Sequence, residues 1–571
     1  QVLTFVSDFT RKALEAAGAS APDALDDALH DQRLFGLQTL WDLVTSGASS
    51  GSSNGTVAEA CAHLQSLLHE FPAHREYFVA KVMANLESGV ALSPTLRILI
   101  DLVRGGADDE VTREYVEELD ARYNLVQLLV NALSAVSSGD EAEGVTQACL
   151  AALEHVITSS ALILSADAAL ALWDALEARG AVDAAAGWLA SLNCEEPVID
   201  PYTGAASYPA FTIDEATALY SSRVLPAVRR DPAMVSPALS ALFCTLFALV
   251  NTSSSALRRL TAPFETKTRS FEALVGIDAL EALALSASDD GVANDALYIL
   301  ARLYTHVSTL VDAPAVGAVR NAFVRANLKR VLDAAPAPAP RPLFLAHAVL
   351  VAEAQHGLFA PHGGRASAPL AVPPAEHVAL AAGVSCVHDA ELMDALFGLL
   401  ANAPLRDGIW SLLCALPTEP AVASAVAAPT PETLARALGE ASPGGTHSVF
   451  RVLYGVLALE HALGGGVVPD PRAEVDAAGV TPADAAAAVT AADGFALLTR
   501  LFTADELLDK GSDGFEYGKK AASSLSALIN SLFAGGDVEV SALDGSFVQG
   551  LVSQIHELAG AAGELAKPTG T

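Results

Sequence analysis

Basic residues are scarce in this chain: 33 Lys and Arg stand against 67 Asp and Glu, a formal net charge of −34. Such a surface repels phosphate over most of its area, which excludes nucleic acid as a general partner. Aromatic residues are equally thin at 6%, although 52% of residues are hydrophobic. The core must therefore be built largely from Ala and Leu, which suit closely packed helices. Alternating β-branched runs are missing, which leaves no convincing strand. The six cysteines in 571 residues include no Cys-x-x-Cys pair, which excludes a disulfide framework and points to a reducing compartment. A membrane-spanning helix needs about 20 apolar residues. The nearest approach, the uncharged stretch between Asp231 and Arg258, is interrupted by Pro232, Ser236, Pro237, Ser240, Thr245 and the polar run Asn251 to Ser255. Its apolar centre, Leu239 to Val250, reads as a buried helix, so no membrane insertion is expected.

Helical patterns separated by short Gly, Pro, Ser or Asp breaks run from one end to the other. The periodicity predicts helices over Val2–Ala17, Arg33–Val44, Val57–Glu70, Arg75–Leu86, Leu125–Ala135, Gly144–Ile157, Asp167–Ala178 and Asp214–Val228, each the length of a repeat helix rather than a coiled-coil rod. No strict repeat period is present. The chain is too long for one ordinary core. Taken together, these features predict an all-α, right-handed α-solenoid of armadillo/HEAT type. Three breaks stand out: a flexible Ser/Gly loop at 46–55, an irregular insertion at 195–211, and the Pro-Ala stretch Ala334–Pro342. The first two lie inside a first solenoid segment over 1–335; the Pro-Ala stretch, with the loop-rich Gly357–Pro374 just beyond, marks a connector with one helix over 336–374, followed by a second segment over 375–571.

Motifs that carry chemistry are few. Gly47-Ala48-Ser49-Ser50-Gly51 has the spacing of a nucleophile elbow but sits in a Ser/Gly run without the strand and helix that would lift its serine. His362, His377, Cys386 and His388 are the densest collection of metal-ligand types, yet Cys386-x-His388 has no second pair. No phosphate loop or dinucleotide fingerprint occurs. No catalytic residue, cofactor or metal site is assigned.

Charge is uneven along the chain. Between Tyr220 and Leu345 the bases Arg223, Arg229, Arg230, Arg258, Arg259, Lys267, Arg269, Arg302, Arg320, Arg325, Lys329, Arg330 and Arg341 outnumber ten acids. Arg320, Arg325, Lys329 and Arg330 share one predicted helix. They are a candidate site for an acidic protein partner, with pairing to acids on adjacent repeats as the plainer alternative.

From Phe271 to Val307 two helices form a hairpin. Ser288-Asp289-Asp290 is placed to cap the second, whose Val292, Ala296, Ile299, Leu300, Leu303 and Val307 make one apolar face. Phe271, Leu274, Val275, Gly276, Ile277, Asp278 and Leu280, followed by Asp289, Val292, Ala293, Asn294, Ala296, Leu300, Tyr304 and Thr305, resemble the armadillo-like region of the very large ubiquitin-specific proteases of the fat-facets type. The resemblance covers under forty residues of the chain. It implies a non-catalytic scaffold in a cytoplasmic or nuclear deubiquitinase, with ubiquitinated substrates or adaptors as partners and a cysteine protease domain elsewhere in a longer polypeptide. None of the six cysteines here, preceded by Ala60, Ala148, Asn193, Phe243, Ser385 and Leu413, stands in the Gly-Asn-Thr-Cys type of box that such a protease uses. A free-standing armadillo-like adaptor in transport or tethering is the alternative.

Overall fold

The computed structural model describes residues 2–17, 36–45, 54–71, 75–103, 109–136, 142–160, 162–192, 198–199, 206–207, 210–253, 274–305, 313–362, 381–439, 446–464, 482–503, 507 and 514–534. Among these the chain is all-α, with twenty-five helices that pack on their neighbours. The one extended pairing among the described residues lies inside the irregular insertion, where Val198 faces Ser207 and Ile199 faces Ala206 in a two-residue antiparallel bridge. Most of the Ser/Gly stretch at 46–55, expected as a loop, and the rest of the insertion up to 209 lie outside the described residues; Asn54 and Gly55 open the Asn54–Glu70 helix.

The described residues fall into two compact units. One takes residues up to 253 together with 275–294, and the other takes Leu274 and the residues from Asp295 onward. The sequence placed its division at 335–375. Within the second unit the Ala313–Ala334 and Pro340–Gln355 helices on either side of the Pro-Ala stretch pack on each other.

Helix contacts in the first unit run mainly between near neighbours in sequence. The Arg75–Ser88 helix meets Leu92–Val103, which meets Ala142–Thr158, and Val182–Ser191 meets Pro237–Ser253. The last of these buries Leu239, Leu242, Phe243, Leu246, Phe247 and Val250. No single helix among the described residues is long and apolar enough to cross a membrane. Arg179 closes the end of the Leu125–Ala135 helix by donating to the carbonyl of Leu133, which also accepts the Val136 N–H, to the Val136 carbonyl and to the Thr146 hydroxyl.

One corner recurs. Ala91, Asn124, Gly276 and Asp493 all have positive φ, from 46° to 90°, and each stands immediately before a helix: Leu92–Val103, Leu125–Ala135, Ile277–Ser286 or Gly494–Phe502. In each case the carbonyl of the left-handed residue accepts the N–H four residues on, from Thr95, Leu128, Leu280 and Leu497. Each following helix buries a leucine-rich face, with Leu96 and Leu99, Leu129 and Leu133, Leu280 and Leu283, and Leu497 and Leu498. A left-handed residue turns the chain sharply at little length, and Gly, Asn and Asp tolerate it best.

The region over Asp214–Val228, expected as one helix, is interrupted by a π turn at Tyr220–Val224, where the Leu225 N–H reaches back to the Tyr220 carbonyl. Pro226 is the reason. It has no N–H to give and its ring crowds the carbonyl four residues earlier, so the backbone widens by one residue.

The capping expected in the 271–307 hairpin is present: the Asp289 carboxylate accepts the Val292 N–H at 3.0 Å. Val292, Ala296, Leu300 and Leu303 are buried as their spacing predicts. Asp289→Ala is expected to lower stability by about 1 kcal/mol, read as a fall in the urea unfolding midpoint. An unchanged midpoint would mean that the cap is idle.

Candidate functional site

The basic stripe on the Ala313–Ala334 helix does not form one surface. Arg320 is buried, with the apolar Phe323, Val324, Leu328 and Val331 of its own helix also in the core. It faces Glu353 of the Pro340–Gln355 helix, whose side chain is wholly buried, with Nε 3.3 Å from Oε1. That contact is an ion pair without the alignment of a hydrogen bond. The Glu353 carboxylate also accepts the Ala382 and Gly383 N–H groups, each at 3.1 Å, and so caps the Ala382–Val387 helix from a third element. Burial pulls the Arg320 guanidinium below its ordinary value and pushes the Glu353 carboxyl above its own, in each case against the attraction of the partner. Arg320 is therefore paired within the fold, the plainer of the two alternatives the sequence offered, and is not available to a partner.

Arg325 is half-buried and committed inward. It meets the Asp389 carboxylate at 2.7 Å and the Ser385 carbonyl and hydroxyl at 3.0 and 3.2 Å. The Arg325 guanidinium and the Leu392 N–H hold the Asp389 carboxyl below the usual range. Lys329 and Arg330 are exposed, and Arg330 donates to Asn327 at 3.2 Å.

Three further bases of the locally basic third are paired nearer the surface, while Arg258, Arg259, Lys267 and Arg269 lie outside the described residues. Arg223 grips Asp174 through two bonds at 2.7 and 2.9 Å, Arg229 grips Asp278 at 2.9 and 2.8 Å, and Arg230 lies 3.9 Å from Glu177. Of the acids that meet Arg223, Arg229, Arg230, Arg320 and Arg325 in these ion pairs, only Asp278 comes from within 220–345. These five bases thus brace their helices against others. The exposed pairs among them are worth about 0–1 kcal/mol each.

His362 is buried and stacks on Tyr454, with ring centroids 3.5 Å apart and planes within 6°. Its Nε2 is 2.9 Å from the Tyr454 carbonyl, so that nitrogen carries the proton and Nδ1 accepts the Thr418 hydroxyl at 3.1 Å. Burial pushes its pKa down to about 3, which leaves a neutral, fully partnered imidazole. Beside it Phe397 meets Tyr454 edge-on. Arg451 lies over the Phe397 ring at 3.7 Å while pairing with Glu419 and Asp394 at 2.7 and 2.6 Å. Cys386 is buried with its thiol pushed up to about 12, and His388 points Nδ1 at the Val384 carbonyl at 2.8 Å. Among the described residues no three His, Cys, Asp or Glu side chains are grouped to hold a metal ion. His377 lies outside the described residues.

Thiol chemistry meets a similar obstacle. Cys61, Cys149 and Cys386 are buried and Cys244 and Cys414 half-buried. Desolvation pushes the thiols of Cys61 and Cys414 up to about 11 and those of Cys149 and Cys386 up to about 12, the reverse of the lowered pKa a nucleophilic thiolate needs. Cys194 lies outside the described residues. The exposed Ser411 hydroxyl stands 3.1 Å from His347 Nε2. Ser411, however, is interior to the Ala403–Ala415 helix, where backbone N–H groups bond along the helix and are not free to hold an oxyanion.

Residues at the start of the family resemblance tie the Ile277–Ser286 helix to elements before it. Asn251 clamps the peptide of Val275, accepting its N–H at 2.9 Å and donating to its carbonyl at 3.2 Å. Tyr220 donates to the same carbonyl at 3.1 Å. Gly276 is left-handed, Asp278 takes Arg229, Asp289 caps, and Leu274, Leu280, Val292, Ala293, Ala296, Leu300 and Tyr304 are buried. Phe271 and Val307 lie outside the described residues. No family model and no curated protein matches this chain.

Proposed function

We propose that this chain is a non-catalytic scaffold of armadillo/HEAT type, a right-handed α-solenoid that binds ubiquitinated substrates or adaptors for a large ubiquitin-specific cysteine protease. The observation that carries the scaffold reading is the recurrent left-handed corner at Ala91, Asn124, Gly276 and Asp493, each opening a leucine-rich buried helix. A turn reused in this way is what a degenerate helical repeat requires, and stacked repeats offer extended surfaces to protein partners. The deubiquitinase context rests on the resemblance of the 271–307 hairpin, whose matched residues serve packing and capping. It is supported as kinship of architecture. The buried, desolvated thiols agree with a span that leaves hydrolysis to another domain.

A ubiquitin vinyl sulfone reaction, scored by intact mass on the purified chain and on the complete product of its gene, tests the reading. An adduct on the complete product alone is expected. An adduct on this chain would overturn its non-catalytic reading. No adduct on either would remove the protease context in favour of a free-standing adaptor.

A further inference from the structure

The Val2–Ala17 helix uses one face for the fold. Leu3, Ser7, Thr10 and Leu14 are buried, and the helix packs on Asn54–Glu70. Arg11 grips the Glu70 carboxylate through Nε and Nη2 at 2.7 and 3.0 Å. Another face carries Phe5 and Phe9, 69% and 62% exposed, one helical turn apart with ring centroids 6.3 Å apart. Two stacked phenylalanines held in water are an apolar stripe suited to a partner.

The charges beside the stripe select the partner. Asp8 and Lys12 are exposed and four residues apart. When identical helices pair antiparallel about a two-fold axis, residue numbers that face each other have a constant sum. An axis beside Phe9 sets that ring against its own copy. It also brings Asp8 within reach of Lys12 of the partner subunit, and the two-fold repeats the contact. With Arg11 bound to Glu70, the exposed Asp8, Lys12 and Glu15 leave a local net charge of −1 in a chain of net charge −34. Two copies therefore meet here with less repulsion than most of their surface generates.

We propose that the Phe5–Phe9 face of the Val2–Ala17 helix is a self-association surface through which two copies of this chain pair antiparallel. A contact through one helix is smaller than the roughly 800 Å² per partner of a tight complex, so the dimer has a dissociation constant on the order of 10 μM.

Sedimentation equilibrium of the purified chain across concentration, with far-UV circular dichroism as the control for folding, tests this. The wild type is expected to dimerise. Phe5→Ser/Phe9→Ser, placed away from the core face, is expected to stay monomeric with an unchanged spectrum. Asp8→Lys and Lys12→Asp are each expected to weaken dimerisation about 10-fold, and the two together to restore it. Because Asp8 also meets Arg11 at 3.3 Å, restoration by the double swap is the decisive arm. A chain monomeric up to about 100 μM, well above that dissociation constant, would overturn the proposal. So would a dimer indifferent to the phenylalanine changes, or a double swap that fails to restore.

Discussion

Replacing Glu353 by alanine is expected to lower stability by about 3–5 kcal/mol, because it leaves the buried Arg320 guanidinium without its counter-charge and strips the acceptor from two buried N–H groups. Glu353 joins three elements through one carboxylate: Arg320 from Ala313–Ala334, its own helix, and the start of Ala382–Val387. Arg320→Met alone is expected to cost a similar amount. Arg320→Met/Glu353→Met is expected to lose clearly less than the sum of the singles, since no unpaired charge then remains buried. Calorimetric unfolding of the four proteins closes the cycle; singles within about 0.5 kcal/mol of wild type would show the pair to be idle. The pH dependence has a definite sign. Burial raises the Glu353 carboxyl above its ordinary 4.5, with Arg320 and the Ala382 and Gly383 N–H groups pulling the other way. The folded protein therefore holds this proton more tightly than the unfolded chain. Its stability contribution is full below 4.5 and is lost as the pH rises through the raised folded value. The stability gap between wild type and Glu353→Gln should narrow over that window.

Gly276→Ala is expected to destabilise the protein by about 2–4 kcal/mol. The left-handed backbone at φ 90° costs an alanine about 1–2 kcal/mol. A Cβ there would also run into the Tyr220 hydroxyl and crowd Leu225 Cδ1 at 3.2 Å, which adds overpacking of about 1–3 kcal/mol. The double variant Gly276→Ala/Tyr220→Phe removes the obstructing hydroxyl at the loss of its bond to the Val275 carbonyl. It should recover part of the single variant's loss in a thermal melt. A Gly276→Ala protein as stable as wild type would mean that the corner relaxes freely and that glycine is not required there.

Local order was legible in the sequence. The Val2–Ala17 and Leu125–Ala135 helices begin and end where periodicity puts them, and Asp289 caps as its position suggested. These features depend on residues within a turn or two of one another. For the basic stripe the sequence left partner binding and pairing with acids on adjacent repeats both open, although a signal was present: Arg320, Val324, Leu328 and Val331 fall at i, i+4, i+8 and i+11, which puts Arg320 on the apolar face. Its counter-charge Glu353, 33 positions on, has no such signal. The Arg325 contact with Asp389 and the Asn251 clamp on Val275 span 64 and 24 residues. The stacking of His362 on Tyr454 likewise needed the tertiary fold, because a buried histidine and a metal-ligand candidate look alike in a linear chain.

The sequence by itself determined the class of fold and the character of the surface. An Ala- and Leu-rich chain with few aromatics, no strand alternation and twice as many acids as bases must form packed helices with an acidic exterior. Helical periodicity and composition are short-range properties, which a chain carries whatever its partners in space. Only the tertiary structure decided which charges face solvent. Burial and ion pairing depend on the apposition of distant helices, and that apposition turned Arg320 inward, bound Arg325 to Asp389 and Ser385, and left Phe5 and Phe9 exposed.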